Sequence, residues 1–227
     1  MAADYLAFDI ETGPLPEPQL RELYREPTLE KFIASCPSNW KRETAIAKYP
    51  EAKAKGWEEF VDRAALDATT GRVVAIGVVL PGEHASIIGN DSEAETLDEF
   101  WANVADCVRW SMPLIGFNIE HFDLPFLIRR SWINRVTVPA GLKTGRYWLN
   151  IIIDLMTVWQ QGSRELVSLD TLCKAFGLPG KIKSVDGVPV DGASFARLWA
   201  ENRPVAEKYL LGDLAPLAEL AKRMGVI

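Results

Sequence analysis

Asp9 and Glu11 stand two apart in the run Asp4-Tyr-Leu-Ala-Phe-Asp-Ile-Glu11. Side chains two apart on a strand leave the same face, and the strand rise sets these two carboxylates roughly 7 Å apart at the backbone. Oxygen donors at that spacing can converge on one hard cation. Neither acid belongs in a buried apolar strand unless something positive compensates it. The competing reading is a solvent-facing strand with an accidental pair. A second run, Gly116-Phe-Asn118-Ile-Glu-His-Phe122-Asp123, closes an apolar stretch, and strand ends of α/β sheets are where ligands bind. Asp123 there reads as an acid ligand or as a helix N-cap ahead of Pro125, and the two roles are compatible. Asn118 also reads as a side chain bonding its own turn. A third run, Tyr209-Leu-Leu-Gly-Asp213, puts a phenol and a carboxylate on one helix face. Alone, that pair is equally a buried Tyr beside an unrelated surface acid.

Together, FDIET, NxxxFD and YxxxD, in this order, resemble motifs I, II and III of the DEDD-type 3′→5′ exonucleases, whose fold is RNase H-like. The Tyr marks the DEDDy branch. A DEDDh enzyme would carry His five residues before the last Asp, where this chain has Lys208. The likeness is greatest to stand-alone exonucleases related to the family B DNA polymerase proofreading domain, and Ser168 to Lys181 and Val185 to Val188 are also similar to that group. It spans Ala7 to about Met224, apart from most of residues 14–70.

This resemblance implies that Asp9, Glu11, Asp123 and Asp213 hold two Mg²⁺ or Mn²⁺ ions that clamp an in-line phosphoryl displacement. Oxygen-only ligands suit hard cations, and the lack of a Cys/His cluster argues against zinc. It implies that Tyr209, neutral with an ordinary phenol pKa of about 10, orients the attacking water. Thr12, Asn118 and Phe122 would hold a single-stranded 3′ end, Phe122 by stacking on a base and Asn118 by donating to a phosphate or sugar. His121 is a surface neighbour in this reading, and Asp154 an N-cap rather than a fifth ligand.

The implied activity is hydrolysis of phosphodiester bonds from the 3′ end of single-stranded DNA, releasing nucleoside 5′-monophosphates. RNA 3′-end trimming is the near alternative, because the motifs do not encode contacts to the 2′-OH. A non-catalytic nucleic-acid-binding module would leave four acids repelling one another for no return. A phosphatase of the haloacid-dehalogenase type begins with a similar strand, but it needs Asp at position 11 and leaves Tyr209 and Asp213 unexplained.

Other elements must bring these residues together. Leu6, Phe8 and Ile10 point one way along the first strand and Tyr5, Ala7, Asp9 and Glu11 the other, until Gly13-Pro14-Leu15-Pro16 stops it. Pro18 to about Thr70 is helical in pattern, with breaks expected at Cys36–Asn39 and Lys48–Pro50. Arg72 to Leu80 is a buried strand, Pro81-Gly82 a turn into a short strand ending near Gly89, and Asp91 to Trp110 an amphipathic helix. Met112 to Asn118 and Trp148 to Ile153 are further strands, with a helix from Asp123 and short helices near Leu155 and Leu169. Val185-Asp-Gly-Val188 is a tight hairpin. The last helix runs from about Pro204 toward Met224, and Pro216 is expected to kink it beyond Asp213. These elements describe one α/β domain over residues 1–227 with a mixed sheet and residues 14–70 as a helical insertion, and the resemblance implies that the sheet is five-stranded, RNase H-like and flanked by helices.

The 227 residues are 48% hydrophobic, ample for a core. Cys36, Cys107 and Cys173 form no CxxC pair, which fits a reducing, cytoplasmic setting. The first residues lack the features of a signal peptide, and the longest apolar run is too short to span a bilayer. The net charge of −6 counts against a nucleic-acid partner only as an average. Leu124 to Ile153 contains no acid and holds Arg129, Arg130, Arg135, Lys143 and Arg146. That window either lines the approach of a phosphodiester strand or is a solvated face. The insertion has three candidate roles: binding DNA, binding a replication or repair protein such as a polymerase, or covering the sheet.

Overall fold

A computed structural model describes residues 5–80, 84–142 and 151–227. The expected turn at Pro81-Gly82, residues 148–150 of the expected strand, Lys143 and Arg146 lie outside these residues. By internal contacts the chain divides into two compact units, residues 1–13 with 72–227, and Pro14–Gly71.

In the larger unit, a five-stranded mixed sheet has the order β3-β2-β1-β4-β5. Its strands are β1 (Leu6–Pro14), β2 (Gly71–Val79), β3 (Ser86–Ile88), β4 (Leu114–Gly116) and β5 (Ile152–Asp154). β1 pairs in parallel with β4, and β4 with β5, whereas β2 and β3 are antiparallel. β1 is therefore the central strand and is buried on both faces, and the alternation read from the sequence decides what each face meets. Phe8 packs its ring on Phe100, with centroids 5.1 Å apart, on the side of α4 (Glu93–Trp110). Tyr5 and Ala7 join the opposite cluster, with Leu214, Leu217 and Leu220 of α9 (Arg203–Arg223). Asp9 and Glu11 continue that second row, so they are aimed at α9.

α5 (Asp123–Asn134) packs on α4 through a Trp101 Nε1–H donated to Ser131 Oγ at 2.7 Å. A second tie is charged. Glu93, at the start of α4, accepts from Arg130 Nε and Nη2 and from the Val73 amide of β2. This pair is nearly dry, with side chains 5% and 12% exposed; losing either partner would strand a buried charge.

After β5 come α6 (Leu155–Gln160), α7 (Leu169–Ala175) and the two-stranded hairpin of β6 (Ser184–Val185) and β7 (Val188–Pro189). Asp186 and Gly187 at its tip both have positive φ, the conformation a two-residue hairpin turn requires. α8 (Gly192–Glu201) follows, an element the sequence pattern did not suggest. α9 runs without interruption through Pro216, which is itself buried. Pro216 gives up only its own N–H bond to the Gly212 carbonyl, and Leu214, Leu217 and Leu220 hold both sides of it in the core.

The unit of Pro14–Gly71 is helical, with α1 (Glu17–Leu23), α2 (Leu29–Ser35) and α3 (Arg42–Ala64). The Leu15 amide donates to the Thr70 carbonyl at 2.9 Å and joins its two ends. The break expected near Pro50 is absent, because α3 continues through that proline. A break the pattern did not suggest falls instead at Tyr24–Thr28, around Pro27.

Candidate active site

Three of the candidate acids meet. Asp9, Glu11 and Asp213 each offer an oxygen, and these atoms all lie within 4.8 Å of one another. β1 supplies the first two from one face, and α9 supplies the third from the helix packed on that face. Asp123 reaches the same strand from the first turn of α5. Phe122 occupies the N-cap position, and Asp123 spends one oxygen on the Ile10 amide, 3.2 Å away, instead of capping its own helix. The tie fixes α5 to the peptide between Asp9 and Glu11.

Burial dominates the electrostatics. It raises the Asp9 carboxyl to about 6, with Lys181 opposing and Asp213 adding to the rise. Glu11 is held well above the ordinary carboxylate range by burial and then by Asp9. Asp123 is raised by the same two causes. Tyr209, one helical turn before Asp213, has its phenol pushed upward by burial, then by Glu11 and Asp213. It is therefore a neutral hydroxyl at physiological pH.

Lys181 is the residue that sequence reasoning passed over. Its Nζ lies 2.8 Å from Asp213 Oδ2 and 5.8 Å from the centroid of the Tyr209 ring. Burial works against this ammonium, but Asp213, Tyr209 and Asp9 outweigh it and hold its pKa above the usual lysine value. Gly212 makes the approach possible, since a side chain there would run into Ile182, the next residue along from Lys181. The only sequence signal was the position of Lys181 at the end of the Ser168–Lys181 segment. α8 was also missed and also bears on the site. Its Ala196 packs so close to Gly13 that a Cβ there would lie 2.6 Å from the alanine methyl, and its Gly192 faces Glu11 Oε2.

The segment between β4 and α5 is held by Asp154. This buried carboxylate caps α6 through the Met156 amide at 2.9 Å, as its sequence position suggested, and also accepts from the Asn118 amide at 2.8 Å and the Glu120 amide at 3.0 Å. Asn118 has a φ of 64° and turns the chain there, its carbonyl accepting from the amides of His121 and Phe122. Phe122 is half-buried against Phe126, with ring centroids 5.6 Å apart. Thr12 is buried in β1 directly after Glu11. These three residues flank the acids without joining the carboxylate group. His121 is exposed.

Arg130 fits neither reading of the basic window, a strand approach or a solvated face, because it is buried on Glu93. Arg129 and Arg135 are exposed.

A family model described as "Predicted 3'-5' exonuclease related to the exonuclease domain of PolB" matches residues 65–206, more than half of the chain. The chain belongs to this family. The matched stretch contains Asp123 and Lys181; Asp9 and Glu11 precede it, and Tyr209 and Asp213 follow it. No curated protein matches. Among solved structures, this exonuclease is similar to the family B DNA polymerase from the hyperthermophilic archaeon Pyrobaculum calidifontis, at 16% identity and a TM-score of 0.59. The alignment covers 99% of this chain and 25% of that one, so the exonuclease spans a quarter of the polymerase's length. The shared feature is the fold, and the five-stranded mixed sheet is RNase H-like.

The acids of this exonuclease fit a divalent cation. Both oxygens of Asp213 are buried; Lys181 stands 2.8 Å from Oδ2, whereas Oδ1 has no hydrogen-bond partner among the described residues, an arrangement that costs stability unless a cation completes it. The donors are all oxygen, the chemistry hard cations select. Lys181 is, among the described residues, one positive charge beside four acids, so ionising all four leaves negative charge for a cation to balance. Among the described residues, no helix is long and apolar enough to cross a membrane.

Proposed function

We propose that this exonuclease cleaves single-stranded DNA from its 3′ end by a two-metal mechanism, releasing nucleoside 5′-monophosphates. The observation that carries the reading is the convergence of Asp9, Glu11 and Asp213 within 4.8 Å, with Asp213 Oδ1 buried and without a hydrogen-bond partner among the described residues. Asp9, Glu11, Asp123 and Asp213 would hold two Mg²⁺ or Mn²⁺ ions. When bound, such ions supply Lewis acidity at the entering water and at the departing 3′ oxygen of an in-line displacement.

The chain's own groups do the rest. Tyr209, with its hydroxyl proton retained, orients the attacking water by hydrogen bonding and does not remove the proton itself. Lys181 keeps a positive charge against Asp213 and steadies that carboxylate and the Tyr209 ring. Thr12, Asn118 and Phe122 hold the terminal nucleotides, with the Phe122 ring offering a face to a base. The water oxygen bonds to phosphorus as the P–O3′ bond breaks. The water's proton passes to solvent, and the departing 3′ oxygen takes one up from it. The phosphate leaves on the released nucleotide, and the shortened strand keeps a 3′-hydroxyl. The family's relation to the PolB exonuclease domain and the fold shared with a DNA polymerase favour DNA over RNA.

The test uses one strand labelled at the 3′ end and the same strand labelled at the 5′ end, with Mg²⁺ or Mn²⁺. A 3′ label should appear as mononucleotide from the first cleavage, and a 5′ label as a descending ladder. EDTA and Asp9→Ala should abolish both. RNA degraded in preference to DNA would reassign the substrate, and a folded protein that degrades neither would overturn the reading.

A further inference from the structure

A second candidate site lies entirely within the unit of Pro14–Gly71. A cleft of about 450 Å³ opens between α1, the Tyr24–Thr28 break and α3, lined chiefly by Arg21, Tyr24, Glu26, Tyr49, Lys53 and Trp57. The three rings are half-buried. The Arg21 guanidinium lies 3.8 Å over the Trp57 ring, Tyr24 meets Trp57 edge-on at 5.3 Å, and the Lys53 ammonium stands 5.5 Å from the Tyr49 centroid.

The cleft is braced from both sides. The Tyr49 hydroxyl donates to the Pro27 carbonyl at 2.7 Å, and Lys53 pairs with Glu26 at 2.6 Å. Both contacts tie the break between α1 and α2 to α3, so the cleft is formed before anything enters it, which lowers the cost of binding.

We infer that this cleft is a subsite for single-stranded nucleic acid, taking a base on its aromatic and guanidinium surfaces and the flanking phosphates on Arg21 and Lys53. The inference rests on the exonuclease reading above and extends its contacts beyond the strand's 3′ end. Aromatic rings and arginine planes stack on any base, which suits an enzyme that must accept every sequence. The Arg21 side chain is 57% exposed above Trp57, which leaves its outer plane open. Both cations are paired with exposed acids, Glu17 and Glu26; such pairs contribute little and exchange readily for a phosphate. The volume falls within the range of about 300–1,000 Å³ that holds small organic ligands, enough for one nucleotide. The unit carries nine Lys and Arg against ten Asp and Glu, so it bears little of the chain's net negative charge.

The experiment uses the full chain and a fluorescently labelled oligothymidylate of about 16 nucleotides. Binding is titrated in EDTA, and hydrolysis is followed with divalent metal for that oligomer and for a dithymidylate. The Arg21→Gln/Lys53→Gln variant should bind the long oligomer about tenfold more weakly. Two phosphate contacts fewer should also lower the log–log salt slope by about 1.4. Its KM should rise for the long oligomer and stay unchanged for the dithymidylate, with kcat unchanged for both. Glu26→Gln should bind the long oligomer more tightly than wild type, a gain that misfolding cannot produce.

Equal binding in EDTA by the wild type and the double variant would overturn the subsite and leave the exonuclease reading standing. A cleft that serves a protein partner would give that result. Weaker binding by the double variant supports the subsite even if neither oligomer is hydrolysed, an outcome that would sink the exonuclease reading alone.

Discussion

Burial sets the charge state of the acid cluster, and Lys181 and Asp213 adjust it at Asp9 and Glu11. Among the described residues, the Lys181 ammonium is the cation paired with Asp213, and it occupies Oδ2, one of the oxygens a divalent ion would use. Lys181 therefore competes with the ion it helps to accommodate. Replacing it with alanine removes the competitor and leaves the acids less compensated, so the concentration of Mg²⁺ or Mn²⁺ giving half-maximal activity should fall. Turnover should fall as well, on the order of a hundredfold if Lys181 steadies charge in the transition state. A metal titration of Lys181→Ala checks both effects. An unchanged metal requirement together with unchanged turnover would show that the ion pair is incidental. The role of Lys181 was not legible in the sequence, because a lysine after a Gly-Leu-Pro-Gly run reads as solvated. Its partner is supplied by a helix that only the tertiary fold brings across.

At the scale of elements, each acid is placed by a tie made elsewhere in the fold. Asp9 and Glu11 owe their direction to the two-residue period of β1, whose alternate row packs on α4, and this much was readable from the alternation of Leu6, Phe8 and Ile10. The motif II segment owes its place to Asp154, which accepts three backbone amides at once. The sequence showed only the local cap, since Asn118 and Glu120 reach Asp154 through the parallel pairing of β4 and β5. Asp154→Asn replaces an all-acceptor group with one that also presents N–H, so at least one buried donor loses its partner. The expected loss is about 2–3 kcal/mol in urea unfolding. Hydrogen exchange should quicken at the amides of Asn118 and Glu120 while the β1 amides stay protected. Uniform acceleration across the sheet would mean that Asp154 serves stability alone. α8 escaped the sequence reading despite a usable signal, Asp191 with Ser194 three residues on, which forms a capping box. Its short run with Gly at the first helical position hid the period. Pro50 misled in the opposite sense, because α3 continues through it and gives up only the one backbone bond a proline cannot donate.

Across the whole molecule, the buried acids make the metal-free protein a compromise between folding and catalysis. Asp9 has a folded pKa of about 6 against a reference of 3.8, and Glu11 and Asp123 are shifted in the same direction. A raised carboxyl pKa means that the folded state holds the proton more tightly than the unfolded chain does. The associated stability is fully present below pH of about 4 and is lost as pH rises through about 6. Asp9 alone contributes on the order of 3 kcal/mol to that loss, equivalent to about 6–12 °C in Tm for a chain of this size. In EDTA, therefore, Tm should fall between pH 4 and pH 7, and Asp9→Asn should flatten the step because it removes a titrating charge from the cluster. Mg²⁺ or Mn²⁺ binds the ionised acids, so adding either should raise Tm by several degrees at pH 8 and by little at pH 4.5, where protons occupy the same oxygens. Thermal melts of wild type and Asp9→Asn across this pH range, with and without the metal, check each part. A Tm that rises with pH through this window in EDTA and does not respond to Asp9→Asn would show that these acids are compensated in the folded protein without a cation, removing the main physical reason to place metal there.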